Sequence, residues 1–354
     1  MAVEWKKLND VCSVHTGTQL NKEKMLEDGV YPVINGGQTS SGYTNAVNEK
    51  ANSITISQGG ESAGFVNWID TDFWAGAHCY VLCDYNIDKR YLFHFLKSRE
   101  KQIRSKRQGA GIPGLNRKSL MSLNIPVPST SQQMILASKL DTFTSLVSKL
   151  NGEIELRKKQ FEHYRDTLLD LQGKEGVEIK CVAHLVKDRV AAKNLNEKNY
   201  TSVENLLKDK AGRRDAETVP TEGHWIKYQK DDILIGNIRP YLRKIWLSDK
   251  EGGTNGDVAV IHVNDTIIPE FMYHCLASER FFMYYNQSLK DGKMPRGDKN
   301  RILSFKIPII DKDDQSNIVT ILNAFSTLIS KLEEERDLHQ KQYEYYREKL
   351  LTFE

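Results

Sequence analysis

The sequence predicts an α+β protein in which two mixed α/β domains are each followed by a long helix, and three observations indicate this. Residues 133–169 recur without a gap 182 positions later, at 315–351, with 16 of 37 paired positions identical. Each copy has apolar residues at helical spacing. Each is preceded by a block that has the pattern of short strands and turns. A repeat of this quality indicates a tandem duplication.

The repeated stretches carry apolar residues three and four positions apart, as in the seam of a coiled coil. Neither contains proline, and only Gly152 interrupts the first. At about 1.5 Å per residue such a helix is roughly 55 Å long, more than a compact domain needs. We therefore expect the two helices to pack against each other. The seam positions are Leu140, Phe143, Val147, Leu150, Ile154, Phe161, Tyr164 and Leu168, then Leu322, Phe325, Ile329, Leu332, Tyr343, Tyr346 and Leu350.

The blocks outside the helices repeat as well. Pro113 matches Pro295 and Pro126 matches Pro308 at the same offset of 182, and residues 91–98 match 271–278 at 180. This predicts a first domain at 1–131, a helix at 132–171, a second domain at 172–314 and a helix at 315–354. In the first domain we expect strands at 31–34, 53–57 and 77–83, the second of them half-buried, and a helix that starts near residue 91 and continues into a basic patch.

Composition excludes several classes of protein. No run of 18 apolar residues exists and the first residues do not form a signal peptide, so a cytoplasmic protein without a membrane partner is expected. Five scattered cysteines do not suggest a disulfide framework. His78, Cys79 and Cys83 are close enough for a metal site, but their apolar, strand-like surroundings favour buried thiols, and no metal is predicted.

Positive charge is concentrated in the first block. Residues 89–118 contain ten Lys or Arg and one acidic residue, Glu100, although the net charge of the chain is only +3. Such a density favours a polyanion by counterion release. An ordinary solvated face is the alternative interpretation.

Catalytic motifs are missing from the sequence, and binding residues are plentiful. There is no phosphate-binding loop, no H-E-x-x-H and no strand-placed G-x-G-x-x-G. Loops rich in cations, amides and an aromatic can contact phosphates and base edges. No catalytic residue is therefore predicted. The candidate DNA-binding residues are Thr18, Gln19, Gln58, Arg104, Arg107, Gln108, Asn237, Arg239, Tyr241, Arg243, Lys244, Lys293 and Arg296.

The duplication predicts a divided target. Two-fold proteins read two half-sites on DNA. Here the copies share a scaffold but differ in their loops, so the two half-sites should differ and be separated by bases that are not read.

Over its whole length the chain resembles the specificity subunits of type I restriction–modification systems. The most specific elements are residues 233–244 with 253–257, the Ile-Pro closings at 125–126 and 307–308, and the helix endings Tyr164-Arg165 and Tyr346-Arg347. The resemblance implies antiparallel helices with pseudo-two-fold symmetry. It implies that each domain reads one half-site of double-stranded DNA.

The resemblance also implies the partners of the chain. Two methyltransferase subunits would dock on the helices, bind S-adenosylmethionine and modify adenine N6, while this chain binds no cofactor. Motor and nuclease subunits join such complexes to give restriction. A coiled-coil adaptor whose globular domains bind proteins is the alternative, and a nucleic-acid enzyme acting alone is the weakest hypothesis.

Overall fold

The computed structural model of the chain describes residues 3–109, 111, 113–171, 176–287 and 294–353. The chain forms two compact units. Unit 1 comprises residues 1–151 and 334–354, and unit 2 comprises residues 152–333. Each unit therefore contains one globular block and parts of both long helices.

Unit 1 is built from short strands and, apart from the first long helix, short helices. Its strands are β1 (Glu4–Lys7), β2 (Ser13–Thr16), β3 (Tyr31–Ile34), β4 (Tyr43–Thr44), β5 (Ser53–Ser57), β6 (Val66–Ile69), β7 (Trp74–Ala75), β8 (Cys79–Cys83) and β9 (Asn124–Val127). Its helices are α1 (Leu8–Val11), α2 (Lys89–Ser98), α3 (Glu100–Ser105), α4 (Arg117–Met121) and the first long helix, α5 (Thr130–Leu168), which continues into unit 2.

An antiparallel sheet in the order β2-β8-β5-β6 forms the centre of unit 1. Successive residues of a strand point to opposite faces. Ile54 and Ile56 of β5 therefore enter the main core, whereas Val81 of β8 joins a smaller core on the other face. A second sheet, β4-β3-β7, contributes Ile34 and Ala75 to the smaller core. The expectation that 53–57 is half-buried is wrong, since both faces of β5 are covered and Thr55 is 2% exposed.

Unit 2 has a similar set of elements, but a 3-10 turn, Ile179–Cys181, takes the place of α1. Its strands are β10 (Gly176–Glu178), β11 (Ala183–Leu185), β12 (Arg189–Ala191), β13 (His224–Tyr228), β14 (Ile233–Gly236), β15 (Ile245–Leu247), β16 (Gly252–Thr254), β17 (Val258–Val263) and β18 (Lys306–Pro308). Its helices are α6 (Pro269–Leu276), α7 (Glu279–Asn286), α8 (Lys299–Leu303) and the second long helix, α9 (Lys312–Leu350), which continues into unit 1.

The central sheet of unit 2, in the order β11-β17-β14-β15, corresponds to that of unit 1. Ile233 and Ile235 face the main core, and Leu234 between them faces a smaller one. The second sheet is β12-β13-β16. It has diverged, because β13 and β16 are antiparallel whereas β3 and β7 are parallel.

A two-stranded ladder closes each globular block. Pro126 of β9 lies opposite Trp5, and Pro308 of β18 lies opposite Gly176. Proline disfavours helix at the residue before it. The long helices accordingly begin a few residues further on, at Thr130 and Lys312.

The long helices contact each other through matched aromatic pairs. In unit 1, Phe143 of α5 stacks on Tyr346 of α9, with ring centroids 5.3 Å apart. In unit 2, Tyr164 of α5 stacks on Phe325 of α9, also at 5.3 Å. The 182-residue repeat exchanges the two pairs, and early residues of one helix meet late residues of the other. The predicted fold class, two mixed α/β domains with long helices paired antiparallel, is confirmed.

A repeated glutamine holds each long helix to its globular block. Gln133 accepts a hydrogen bond from the backbone N–H of Asp88 at 2.8 Å, and Gln315 accepts one from Ile268 at 2.8 Å. Each amide also donates to a carbonyl five residues earlier along the chain. Both side chains are at most 3% exposed. The identity of these two residues in the repeat therefore reflects the same buried contact.

One expected helix is divided in two. The helix predicted to run from residue 91 into the basic patch consists of α2 and α3, with a break at Arg99. The carboxylate of Asp88 caps α2 by accepting from the N–H of Tyr91 at 2.7 Å.

Among the described residues, no helix is long and apolar enough to cross a membrane.

Candidate nucleic-acid interface

Two predicted loops of unit 1 pair with each other. Gly59, which follows β5, forms an isolated β-bridge with Gly114, and Gly114 also bridges Gln108. The N–H of Gly60 donates to Pro113 O at 2.9 Å, and the carbonyl of Gln58 accepts from Leu115 N at 2.7 Å. The structure thus places Gln58 and Gln108 in one loop cluster, although they are 50 residues apart in sequence.

The two predicted arginines of unit 1 have different surroundings. Arg107 is exposed, and its guanidinium donates to the carbonyls of Arg104 at 2.8 Å and Glu61 at 3.0 Å. Arg104 is half-buried against Gly64. Its Nε is buried without a hydrogen-bond partner in the described part of the chain. Arg107 is therefore the side chain of the two that is available to a phosphate.

Thr18 and Gln19 lie on a neighbouring loop of unit 1 and are both exposed. The N–H of Thr18 donates to Ala75 O at 2.8 Å, and the indole of Trp74 donates to Thr18 O at 2.8 Å. The carbonyl of His78, three residues beyond Ala75, accepts from Gln58 N at 2.9 Å. The segment 75–78 thus joins this loop to the paired loops, a connection that the sequence did not indicate.

The predicted loops of unit 2 pair in the same way. Ile238, which follows β14, forms an isolated β-bridge with Arg296. The N–H of Arg239 donates to Pro295 O at 2.8 Å, and the carbonyl of Asn237 accepts from Gly297 N at 3.0 Å. Lys293, predicted for the same site, lies outside the described residues.

The Asn237 side chain is part of the support of these loops. It is 7% exposed, and its Oδ1 accepts a hydrogen bond from the hydroxyl of Tyr285 at 2.5 Å. Gly297 lies directly on the Tyr285 ring, where an added Cβ would be 2.4 Å from the nearest ring atom. Tyr285 was not predicted from the sequence, because nothing local distinguishes it from any other core tyrosine.

A short turn at Pro240–Leu242 presents Tyr241, which is 48% exposed. Arg239 and Arg243 on either side of it have left-handed backbone angles, with φ of 49° and 50°. Arginine enters this region rarely, at a cost of about 1–2 kcal/mol. Strain of this kind is retained where the surrounding structure holds the backbone, as it does in these loops.

Arg243 ties the turn to the first long helix. Its guanidinium donates to Glu279 at 2.7 Å, and its carbonyl accepts from the N–H of Lys210 at 3.0 Å. The ammonium of Lys210 binds Glu162 of α5 at 2.9 Å. Burial, followed by the charges of Arg165 and Arg243, lowers the pKa of Lys210 to about 8. Within unit 2, Lys210 therefore connects the turn to α5, because its N–H binds Arg243 and its ammonium binds Glu162.

Two further cations of this site bind backbone carbonyls. Lys244 donates to Val203 O at 2.6 Å, and burial lowers its pKa. Lys299, which was not predicted, donates to Gly256 O at 2.6 Å and Val258 O at 3.1 Å. These lysines stabilise the loops in the folded chain.

The bridges at Gly59–Gly114 and Ile238–Arg296 are equivalent in the two units. Gly114 and Arg296 are 182 residues apart, and in each unit a capped helix follows the second loop. Asn116 caps α4 and Asp298 caps α8, each accepting from the N–H two residues on at 2.8 and 2.9 Å. The same pair of loops thus recurs on both copies of the scaffold with different side chains.

Cys83 of β8 and His15 of β2, on the central sheet of unit 1, form a Cys–His–Glu arrangement with Glu49. Cys83 Sγ is 3.6 Å from His15 Nδ1, and His15 Nε2 is 2.6 Å from Glu49. A cysteine nucleophile requires a lowered thiol pKa. Burial and the adjacent Asp84 raise the pKa of Cys83 instead. The arrangement therefore does not supply a thiolate nucleophile near neutral pH.

Cys79 and Cys83, which the sequence places close enough to His78 for a metal site, are residues of strand β8. Cys79 is 1% exposed, and burial raises its pKa to about 12. In the described part of the chain, no group of three or more His, Cys, Asp or Glu side chains is arranged to hold a metal ion.

Comparison with known proteins shows the family. The model of the type I restriction modification DNA specificity domain matches the chain twice, over residues 2–156 and 175–339. These matches cover most of the sequence, and each includes the first part of one repeated stretch. The chain belongs to the type I restriction–modification specificity-subunit family, as its resemblance predicted.

Individual relatives agree with this assignment. The chain is 25% identical over 392 residues to the specificity subunit of the type I restriction enzyme EcoR124I/EcoR124II of Escherichia coli, across 99% of this chain and 94% of the relative. It is 24% identical over 380 residues to a putative type I restriction enzyme specificity subunit of Haemophilus influenzae, across 99% and 96%.

A solved structure shares the fold. The S subunit of a type I restriction–modification system from M. genitalium matches with a TM-score of 0.66 and 19% identity, over 99% of this chain and 97% of that one. At this level of identity the likeness concerns the fold.

Proposed function

We propose that this chain reads a bipartite, asymmetric DNA target, with unit 1 contacting one half-site and unit 2 the other. The observation that carries the proposal is the recurrence of paired loops on both copies of the scaffold. In unit 1 they offer Gln58, Arg107 and Gln108, and in unit 2 they offer Arg239, Tyr241 and Arg296. Because amides and guanidinium groups distinguish bases by different patterns, the two half-sites differ.

The long helices are the proposed docking surface for two methyltransferase subunits. Large apolar side chains remain exposed along them, and exposed apolar surface is typical of protein–protein contacts. In unit 1 they are Met134, Ile135, Leu338 and Tyr345, and in unit 2 they are Leu156, Ile321 and Leu328, all between 41 and 64% exposed.

In the proposed complex the methyltransferase subunits bind S-adenosylmethionine and modify adenine N6. This chain contributes sequence recognition and no catalytic group. Motor and nuclease subunits would join the same complex to give restriction. The E. coli relative is a specificity subunit of a type I restriction enzyme, which supports the proposal.

The test is co-expression of this chain with its methyltransferase subunit in a host that lacks adenine methylation, followed by methylation sequencing of the genome. We expect N6-methyladenine at one motif with two unlike half-sites and an unread gap. Expression of either subunit alone should give no methylation. Methylation by this chain alone, or a methylated motif that does not change when this chain is omitted, would contradict the proposal. If the chain is instead a coiled-coil adaptor whose globular domains bind proteins, the methylated motif should be the same with and without this chain.

A further inference from the structure

The basic side chains of the paired loops in unit 2 differ in whether they already form a hydrogen bond or ion pair with another residue of the chain. Arg243 is bound to Glu279, Lys244 to Val203 O, and Lys299 to two carbonyls. Arg296, although 62% exposed, donates to Asp257 at 2.9 Å. The guanidinium of Arg239 has no hydrogen bond, ion pair or ring contact with any residue that the structure describes. Among the cations of these loops that the structure describes, Arg239 is the one that remains available to a ligand.

The backbone under Arg239 is nevertheless held from both sides. Its N–H donates to Pro295 O at 2.8 Å, and its carbonyl accepts from Leu242 N at 2.9 Å. The next residue, Pro240, is buried, and Asn237, two residues before Arg239, accepts a hydrogen bond from Tyr285. With φ at 49°, Arg239 keeps a conformation that arginine rarely adopts. The Cα–Cβ bond of Arg239 therefore leaves the loop from a fixed position and in a fixed direction.

A free guanidinium on a fixed backbone is suited to one kind of DNA contact. A phosphate contact needs positive charge and tolerates a mobile side chain, so a strained backbone would contribute little to it. Bidentate binding to O6 and N7 of guanine needs the guanidinium plane to be oriented, and it is the commonest specific base contact of arginine. We propose that Arg239 reads a guanine in the half-site contacted by unit 2, whereas Arg243 is a positioning residue. This inference rests on the proposed function.

The test uses the complex of this chain with its methyltransferase subunit and a DNA library in which every position of the target is varied. In the wild-type complex the half-site of unit 2 should contain a required G·C pair. Arg239→Ala should relax that pair alone, with discrimination against other bases falling by about 10- to 100-fold. Arg239→Lys keeps the charge but not the bidentate fork, so it should also lose discrimination while retaining binding to non-target DNA.

Arg214→Ala is the matched control. It removes the same charge from unit 2 outside the paired loops, where Arg214 forms a surface ion pair with Glu217. Its target preference should equal that of the wild type. Arg239→Lys also keeps the test informative if the alanine variant is unstable.

Several results would overturn the inference while leaving the proposed function intact. One is a wild-type motif without a required guanine in that half-site. Others are unchanged stringency in both Arg239 variants, or uniform weakening on all sequences with a salt slope lower by about one, which is the signature of a phosphate contact. The absence of any bipartite motif in the wild type would instead contradict the proposed function.

Discussion

Arg104 and Arg107 are three residues apart, yet only Arg107 is exposed. Arg104 packs against Gly64, where the missing Cβ leaves room for its backbone and Cγ. A charge reversal at this position would bury a carboxylate and affect folding. Arg107 is exposed, and its donors to the carbonyls of Arg104 and Glu61 leave other N–H groups free. The two arginines must therefore be tested separately.

Arg107→Gln should weaken DNA binding by the assembled complex through the loss of one phosphate contact. The slope of log affinity against log salt should fall by about 0.9. The measurement is a salt titration of binding on target and non-target duplexes. Lys24→Gln removes the same charge from an exposed turn of unit 1, Lys22–Lys24, and should leave the slope unchanged. Equal slopes for the wild type and Arg107→Gln would show that the basic patch is a solvated face.

At the scale of elements, a buried histidine joins each globular block to the long helices, and the two copies differ. In unit 1, His94 shares hydrogen bonds with the Tyr343 hydroxyl at 3.0 Å and Asp141 at 2.8 Å. In unit 2 the equivalent His274 meets Asn323 at 3.3 Å and lies edge-on to the ring of Phe161. The contacts of His274 with described residues thus include no carboxylate that would stabilise a protonated histidine.

This difference predicts a pH-dependent loss of stability at His274. Burial lowers its pKa to about 4, against about 6.5 in an unfolded chain. Between these values the unfolded chain binds a proton here that the folded chain does not, so the free energy of unfolding falls as the pH falls from about 6.5 to 4. The free energy of unfolding that is lost through protonation of His274 is ~3 kcal/mol.

The measurement is urea unfolding of the wild type and of His274→Gln at pH 6.5 and pH 4.5. Other groups titrate in both proteins, so the wild type should lose more stability than the variant. His224→Gln, at an exposed position on β13, is the control and should behave like the wild type. If His274→Gln loses as much stability as the wild type, protonation of His274 does not weaken this contact.

At the scale of the whole molecule, the long helices belong to both units, so their length is a property that the two units share. The stacked pair Phe143–Tyr346 lies in unit 1, and the pair Tyr164–Phe325 lies in unit 2. Residues added between these pairs in both helices would leave each contact intact. Gly152 and Glu334, equivalent in the repeat, lie between them.

Inserting four residues after Gly152 and four after Glu334 should lengthen the helix pair by roughly 6 Å. Base pairs are spaced about 3.4 Å apart along the duplex. The unread gap in the methylated motif should therefore grow by one or two base pairs, while both half-sites stay the same. Methylation sequencing gives the motif, and circular dichroism checks that helicity is retained. A folded variant with the original gap would show that the helices do not set the spacing.

Much of the architecture follows from local patterns. The duplication, the two long helices and their seam are visible in sequence because helical spacing is a property of neighbouring residues. Strands such as β3 and β5 were found for the same reason. The sequence did not predict that β5 is buried on both faces. The residues that pack on its second face, Ile34 and Phe73 among them, are distant from it in sequence.

The sequence by itself determined the family, the duplicated plan and the loops that hold the candidate site. It could not show that Gln58 and Gln108 meet through Gly114, nor that Asn237 is buried beneath its loop on Tyr285. It also could not separate Arg239 from Arg243, since Glu279, the partner of Arg243, is 36 residues away in the chain. Spacing along the chain records which residue types share an element, whereas the partner of a charge depends on contacts between elements, and only the tertiary structure decides those.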